Sequence, residues 1–211
     1  MLTEYLNNHR GSNGNLKLNN MDNLSFGQRI DQENGLCELW LTHGALDEIK
    51  LMDLKDKNIL MFGGGRGDIW LALRCKKLVV VERNPEWIPQ TLEAAIDLQL
   101  IMGVRLQYLY RPCNDSSGMA DYYLEIPEDI DFDVIINDDS YRTECCQVAV
   151  DYFKKRGGGI LISDNWVQSY VWISPKAEEI MQPFEAHIHE QEDHLDNDGI
   201  NKWKTAIHFI K

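Results

Sequence analysis

Long hydrophobic runs are missing from this 211-residue chain: nowhere do about eighteen apolar residues occur together, and the opening MLTEYLNNHRGSNGNLKLNN has no apolar stretch of the signal-peptide kind. A soluble, cytoplasmic protein is expected. Five cysteines (Cys37, Cys75, Cys113, Cys145, Cys146) make neither a CxxC pair nor an even framework, so a disulfide scaffold is excluded and reduced thiols are expected. Positive charge is also scarce. With 21 Lys and Arg against 34 Asp and Glu the formal charge is -13, which repels phosphate backbones and anionic membranes. The longest basic run, Lys154-Lys155-Arg156, falls at the end of a predicted helix, where cations complement the dipole. Neither nucleic acid nor a membrane is the expected partner. There is no internal repeat.

What the chain does have is 44% hydrophobic residues, enough for a sizeable core. Residues 1–24 are rich in Asn and too polar to build one, so they read as a tail or lid, with residues 25–211 as a single domain. From Ser25, the spacing of Ile30, Leu36, Leu39, Trp40 and Ile49 predicts one or two helices. Apolar strands then alternate with helices. Strands are expected at 58–62, 78–82, 105–110, 133–137 and 159–163, with helices after Asp68, at 85–102, at 142–156 and at about 174–181, and a turn near Ala120. Gly157, Gly158 and Gly159 are placed to stop the helix at 142–156. At the end, PFEAHIHE and KWKTAIHFIK follow one another with only the turn-rich EDHLDNDGIN between them, which predicts an antiparallel pair. The class is α/β: a three-layer, Rossmann-like, seven-stranded, mostly parallel sheet with a C-terminal antiparallel hairpin. From about residue 55 onward this order resembles the class I S-adenosylmethionine-dependent methyltransferases.

Between the first strand and its helix lies Phe62-Gly63-Gly64-Gly65-Arg66-Gly67-Asp68. Missing side chains at Gly63, Gly64, Gly65 and Gly67 let backbone amides approach a ligand, and Asp68 at the last position departs from the dinucleotide pattern GxGxxG. The run Leu78-Val79-Val80-Val81-Glu82 ends in an acid able to accept two hydrogen bonds from vicinal ribose hydroxyls. LVVVERNPEW resembles the methyltransferases' second motif, except that Arg83 stands where a hydrophobic residue often packs on adenine, and Met61 replaces the acid that many members carry before the first glycine. Asn114 and Asp115 read either as acceptors for the adenine amino group or as a turn.

Two polar clusters, Asn137-Asp138-Asp139-Ser140-Tyr141 and Ser163-Asp164-Asn165-Trp166, follow strands four and five. Neighbouring strands would bring Asp138, Asp164 and Asn165 together as three oxygen donors for a hard cation, or leave them as caps and turns. GGGILISDNWV resembles the metal-dependent O-methyltransferases related to the catechol and caffeoyl-coenzyme A enzymes. That resemblance implies Mg or Ca on Asp138, Asp164 and Asn165, cofactor contact and catalysis at Asp138, and Tyr141 at the position where those enzymes usually carry a catalytic Lys. NILMFGGGRGD, VVVERNPEWI and FDVIINDDS also resemble spermidine synthases, which implies aminopropyl transfer as the alternative. Trp166, Tyr170 and Trp172 are candidate pocket walls or core. His187, His189, His194 and His208 lack diagnostic metal spacing and read as structural or solvent-facing. The resulting expectation is methylation of a small molecule on oxygen with S-adenosylmethionine. Assembly into a homo-oligomer is left open, and a non-catalytic binding module on the same fold is the other alternative.

Overall fold

Successive residues of the first strand bury on opposite sides of the sheet, and that alternation sets the layers of the molecule. The computed structural model describes residues 28–33, 35–86, 88, 105–113, 120–139, 141–166, 175–196 and 199–211. Within them the chain runs α1 (His43–Leu51), β1 (Asn58–Phe62), α2 (Asp68–Ala72), β2 (Lys77–Glu82), β3 (Leu106–Tyr110), α3 (Ala120–Tyr123), β4 (Val134–Asn137), α4 (Arg142–Arg156), β5 (Gly159–Ser163), α5 (Pro175–Met181), β6 (Glu185–Asp196) and β7 (Gly199–Ile210). The seven strands form one sheet, ordered β3-β2-β1-β4-β5-β7-β6. The first five are parallel to their neighbours, β7 runs antiparallel to β5, and β6 antiparallel to β7. This is the expected α/β class, strand number and terminal hairpin. The expected tail at 1–24, and nearly all of the expected helix at 85–102, lie outside the described residues.

Ile59 and Met61 of β1, with Leu78 and Val80 of β2, pack against Leu46 and Ile49 of α1 and Ile69 and Trp70 of α2. On the other face Leu60, Phe62, Val79 and Val81 meet Tyr123 of α3, Cys145, Ala149 and Phe153 of α4, and Met181 of α5. Central strands covered on both faces have no water-facing side, so they read in sequence as unbroken apolar runs. Each fully buried Leu, Ile or Phe is worth roughly 2 kcal/mol, which makes these two clusters the main source of stability. After α4, Gly157 takes a left-handed φ of +84° and its amide donates to the Phe153 carbonyl, while Lys154, Lys155 and Arg156 occupy the last turn.

Two stretches depart from the sequence expectation. Of the one or two helices expected from Ser25, α1 is present, and the described residues before it contain only an isolated antiparallel bridge between Ile30 and Cys37. Asp31 is the cause: its Oδ1 accepts from the Glu33 amide at 2.9 Å and its carbonyl from the Gly35 amide at 2.8 Å, turning the chain. Its Oδ2 accepts from the Trp70 indole at 2.8 Å and pairs with Arg74, which anchors the turn on α2. The helix-like spacing therefore packs a loop. At the other end, β6 and β7 extend into the segment read as a turn, with Asp193 still paired to Asn201. A continuous ladder outweighs local turn composition there, and Glu190 and Lys204 add a cross-strand ion pair of 3.0 Å.

His208 of β7 lies in the second apolar layer, 3% exposed, with its ring 4.7 Å from Trp166 and, among the described residues, no hydrogen-bond partner on either nitrogen. Burial pushes its pKa down to about 4. The unfolded chain thus binds a proton below about 6.5 that the folded chain refuses until about 4, so stability is full above 6.5 and falls by about 3 kcal/mol as pH drops across that window. Replacing His208 with Phe is expected to remove this loss. In urea titrations the variant should gain on the parent progressively from pH 7 to pH 4.5, and a constant difference would contradict the assignment.

Candidate functional site

Register aligns the carboxyl ends of four strands: Phe62 lies opposite both Val81 and Asn137, and Asn137 opposite Ser163. Gly63, Glu82, Asp138 and Asp164 therefore emerge along one edge of the sheet, where open α/β sheets bind ligands. They border a cleft of about 650 Å³ whose walls include Gly63 to Gly67, Glu82 and Asp138, with Leu39 and Trp40 from the loop before α1. This volume lies within the range of small-molecule sites.

The glycine loop is bent tightly. Gly63 has φ +86°, and a Cβ there would stand 2.4 Å from the Asp138 carbonyl oxygen. The loop's amides, expected to face a ligand, are largely taken up inside the protein. Gly63 donates to the Val81 carbonyl at 3.0 Å, Gly64 to Glu82 Oε2 at 2.6 Å, and Gly65 to both oxygens of Asp68 at 3.0 Å. What the loop offers a ligand is close approach to backbone without side chains. Asp68, read from the sequence only as a departure from the dinucleotide pattern, is thus a brace, and Tyr108 of β3 donates to its Oδ2 at 2.6 Å.

Glu82 receives the second amide of its own turn, from Asn84, on Oε1 at 2.6 Å. A carboxylate has about four acceptor positions, so the side chain can still accept from a ligand. Burial raises the Glu82 pKa, opposed by those two amides and reinforced by nearby Asp139. Asp68 is pushed up to about 7, chiefly by burial, which its hydrogen bonds from Tyr108 and Gly65 only partly offset and Glu82 reinforces. Asp139 itself is balanced by Arg83 at 3.0 Å and accepts from the Tyr123 hydroxyl. Arg83, the departure from the hydrophobic adenine-packing position, therefore serves as a counter-ion at the cleft wall.

Asp138, Asp164 and Asn165 do converge, and they converge on a guanidinium. Arg142, 3% exposed, directs Nη2 to Asp138 Oδ1 at 3.2 Å and to Asn165 Oδ1 at 2.7 Å, Nε to the Asp164 carbonyl at 2.8 Å, and Nη1 to the Asp139 carbonyl at 2.6 Å. Asp164 Oδ1 accepts from the Trp203 indole and the Thr205 hydroxyl, both at 2.9 Å. A cation held at roughly 2.0 to 2.6 Å by Asp138 and Asn165 would coincide with Nη2. As arranged, the donor set does not fit Mg or Ca, and among the described residues no group of three His, Cys, Asp or Glu is set to hold a metal.

Burial raises Asp138 well above the usual carboxylate range, and repulsion from Asp164 adds to the rise while Arg142 opposes it. Tyr141 stands beside this site, its hydroxyl 3.0 Å from Cys113 Sγ and its ring 5.8 Å from that of Tyr123. Cys113, not Tyr141, lines the cleft. Asn114, Asp115, Tyr170 and Trp172 lie outside the described residues, and Trp166 is buried. His187 Nδ1 and His189 Nε2 each lie 2.7 Å from an oxygen of Glu48 on α1, a structural pairing away from the cleft. Sequence reasoning named Asp139 in its cluster without a role and passed over Arg142. The signal for the latter was present as an Asp-Arg pair four residues apart at a helix start.

No protein-family model matches the chain, and no curated protein matches it. Solved structures do. An S-adenosylmethionine-dependent O-methyltransferase from Thermotoga maritima superposes with a TM-score of 0.58 at 14% identity, over 90% of this chain and 68% of that one. Magnesium protoporphyrin IX methyltransferase from Synechocystis, solved with bound S-adenosylmethionine, gives 0.52 at 11% identity, over 77% and 74%. Precorrin 8W decarboxylase from Methanobacterium thermoautotrophicum gives 0.50 at 20% identity, over 80% and 90%. With the glycine turn, the acid ending β2 and the reversed β7 in place, the chain has the fold of the class I S-adenosylmethionine-dependent methyltransferases.

Proposed function

We propose that the protein is a methyltransferase that uses S-adenosylmethionine to methylate a small molecule on oxygen. The observation that carries this reading is the joint placement of a side-chain-free loop, Gly63 to Gly65, and the Glu82 carboxylate on one cleft at the switch edge of the sheet. The residues present fit the cofactor. Gly63 admits nothing larger than hydrogen against Asp138, leaving backbone for the amino-acid end to lie on, and Glu82 stands ready for the ribose hydroxyls. Four carboxyl side chains, Asp68, Glu82, Asp138 and Asp139, line the cleft against the two guanidiniums of Arg66 and Arg83, a balance that suits a sulfonium. Bound there, the cofactor supplies an electrophilic methyl group.

In this reading Asp138 orients the acceptor hydroxyl and holds its proton as the oxygen takes the methyl, and the cleft walls restrict the angle of approach. The net charge of -13 disfavours RNA or DNA as acceptor. A single assay tests the proposal: transfer of a labelled methyl group to a panel of small catechols, phenols and carboxylic acids, with RNA and protein as parallel acceptors. Label is expected in a small molecule, on oxygen. Label only in RNA or protein would overturn the acceptor class, and aminopropyl transfer to putrescine from the decarboxylated cofactor would overturn the reaction.

A further inference from the structure

We infer that the Arg142 guanidinium stands in the position a divalent cation would take, so that this cleft is built to work without a metal. The inference rests on the methyltransferase reading only for its functional meaning, since the arrangement itself is a matter of side chains. Asp138 after β4 and Asn165 after β5 each present an oxygen to the same nitrogen, Nη2, at 3.2 and 2.7 Å. The same guanidinium reaches back to the Asp164 and Asp139 carbonyls through Nε and Nη1. One planar fork therefore ties together the β4 loop, the β5 loop and the first turn of α4, which is what a cation shared by those loops would otherwise do.

Three features make Arg142 a resident group. Its side chain is 3% exposed, and four acceptors from three different loop residues and Asp138 surround it. Its backbone is fixed at the start of a 15-residue helix whose next turns bury Cys145, Cys146 and Ala149. Asp164, the remaining donor of the presumptive metal set, has Oδ1 committed to Trp203 and Thr205 of β7, so it is oriented by the sheet with no need of an ion. Arginine is charged at every pH the protein meets, so the positive charge cannot be lost by chelation or acid. Arg142 is thus a positioning residue: it sets Asp138 toward the cleft and supplies the charge that balances it.

Manganese is the probe, because its free-ion resonance signal counts bound ions without any reference to catalysis. The full chain is titrated with MnCl₂ as wild type, as Asp138→Asn, as Arg142→Met, and as Arg142→Met combined with Asp138→Asn. Wild type is expected to show no saturable binding up to millimolar ion. Removing the guanidinium should open a cavity with Asp138 and Asn165 facing it, and Arg142→Met should gain one saturable site, weakened at least tenfold by adding Asp138→Asn. Saturable binding to wild type that Asp138→Asn removes would overturn the inference, as would a folded Arg142→Met that binds nothing. Should Arg142→Met fail to fold, Arg142→Gln replaces it, and if neither folds the wild-type titration decides by itself. Binding of S-adenosylhomocysteine to the same wild-type sample is measured separately, so failure of the cofactor reading and failure of the metal-free reading give different results.

Discussion

Replacing Gly63 by alanine is expected to abolish ligand binding at the cleft and to destabilise the fold by about 2 to 4 kcal/mol. Two independent effects act together. At φ +86° any Cβ is strained, and at this position it would also stand 2.4 Å from the Asp138 carbonyl oxygen and 3.0 Å from the carbonyl carbon. Those atoms belong to backbone at the end of β4, whose Asp138 amide is itself bound to the Phe62 carbonyl at 2.9 Å. They cannot swing aside as a flexible side chain would. Relief requires the glycine loop to move off the β4 loop, which opens the crevice and displaces the Glu82–Gly64 contact. Gly65→Ala is the control, because no described residue lies within 4 Å of a Cβ there and its φ is not positive. Its stability should match the parent within about 0.5 kcal/mol. Urea midpoints for the two variants check the contrast, and equal midpoints would contradict the account of the loop.

The second large effect is expected at Glu82. Glutamine keeps the shape but replaces one acceptor oxygen with an NH₂ group. Since Gly64 and Asn84 both present N–H groups to this side chain, the NH₂ must face a donor on one side or the other. One brace of the loop is lost, together with the charge assistance for the ribose. A charge-assisted hydrogen bond contributes about 1.5 to 3 kcal/mol, so affinity for S-adenosylhomocysteine should fall about 100-fold. Fold stability should change much less, because the carboxylate is 4% exposed and removing its charge also removes a desolvation penalty. Calorimetric affinity set beside a denaturation curve separates the two. An affinity within threefold of the parent would remove Glu82 from the binding account.

The fold was largely legible because the information is local and repeated. Leu78 to Val81 and Val134 to Ile136 announce strands buried on both faces, Gly157 marks the end of α4, and two strand-like segments without an intervening helix announce the reversal at β7. The loop before α1 was illegible because its apolar spacing mimics a helix while Asp31, through Trp70 and Arg74 far along the chain, turns it. At the candidate site, residue identity put Gly63, Glu82, Asp138 and Asp164 on one edge of the sheet, where the register has them, but did not give their partners. Three oxygen donors after β4 and β5 suggest a cation, and the one present is the guanidinium of Arg142, the first residue of α4, whose only local signal is its spacing of four from Asp138. Asp68 likewise looked like a missing glycine, whereas the fold makes it the acceptor for Gly65.

The most direct test of the cofactor site is a crystal structure of the protein with S-adenosylhomocysteine. The account predicts the ribose hydroxyls within hydrogen-bond distance of the Glu82 carboxylate and the homocysteine chain lying against residues 63–65. A nucleoside bound on another face, or one in the cleft with its ribose turned away from Glu82, would contradict it.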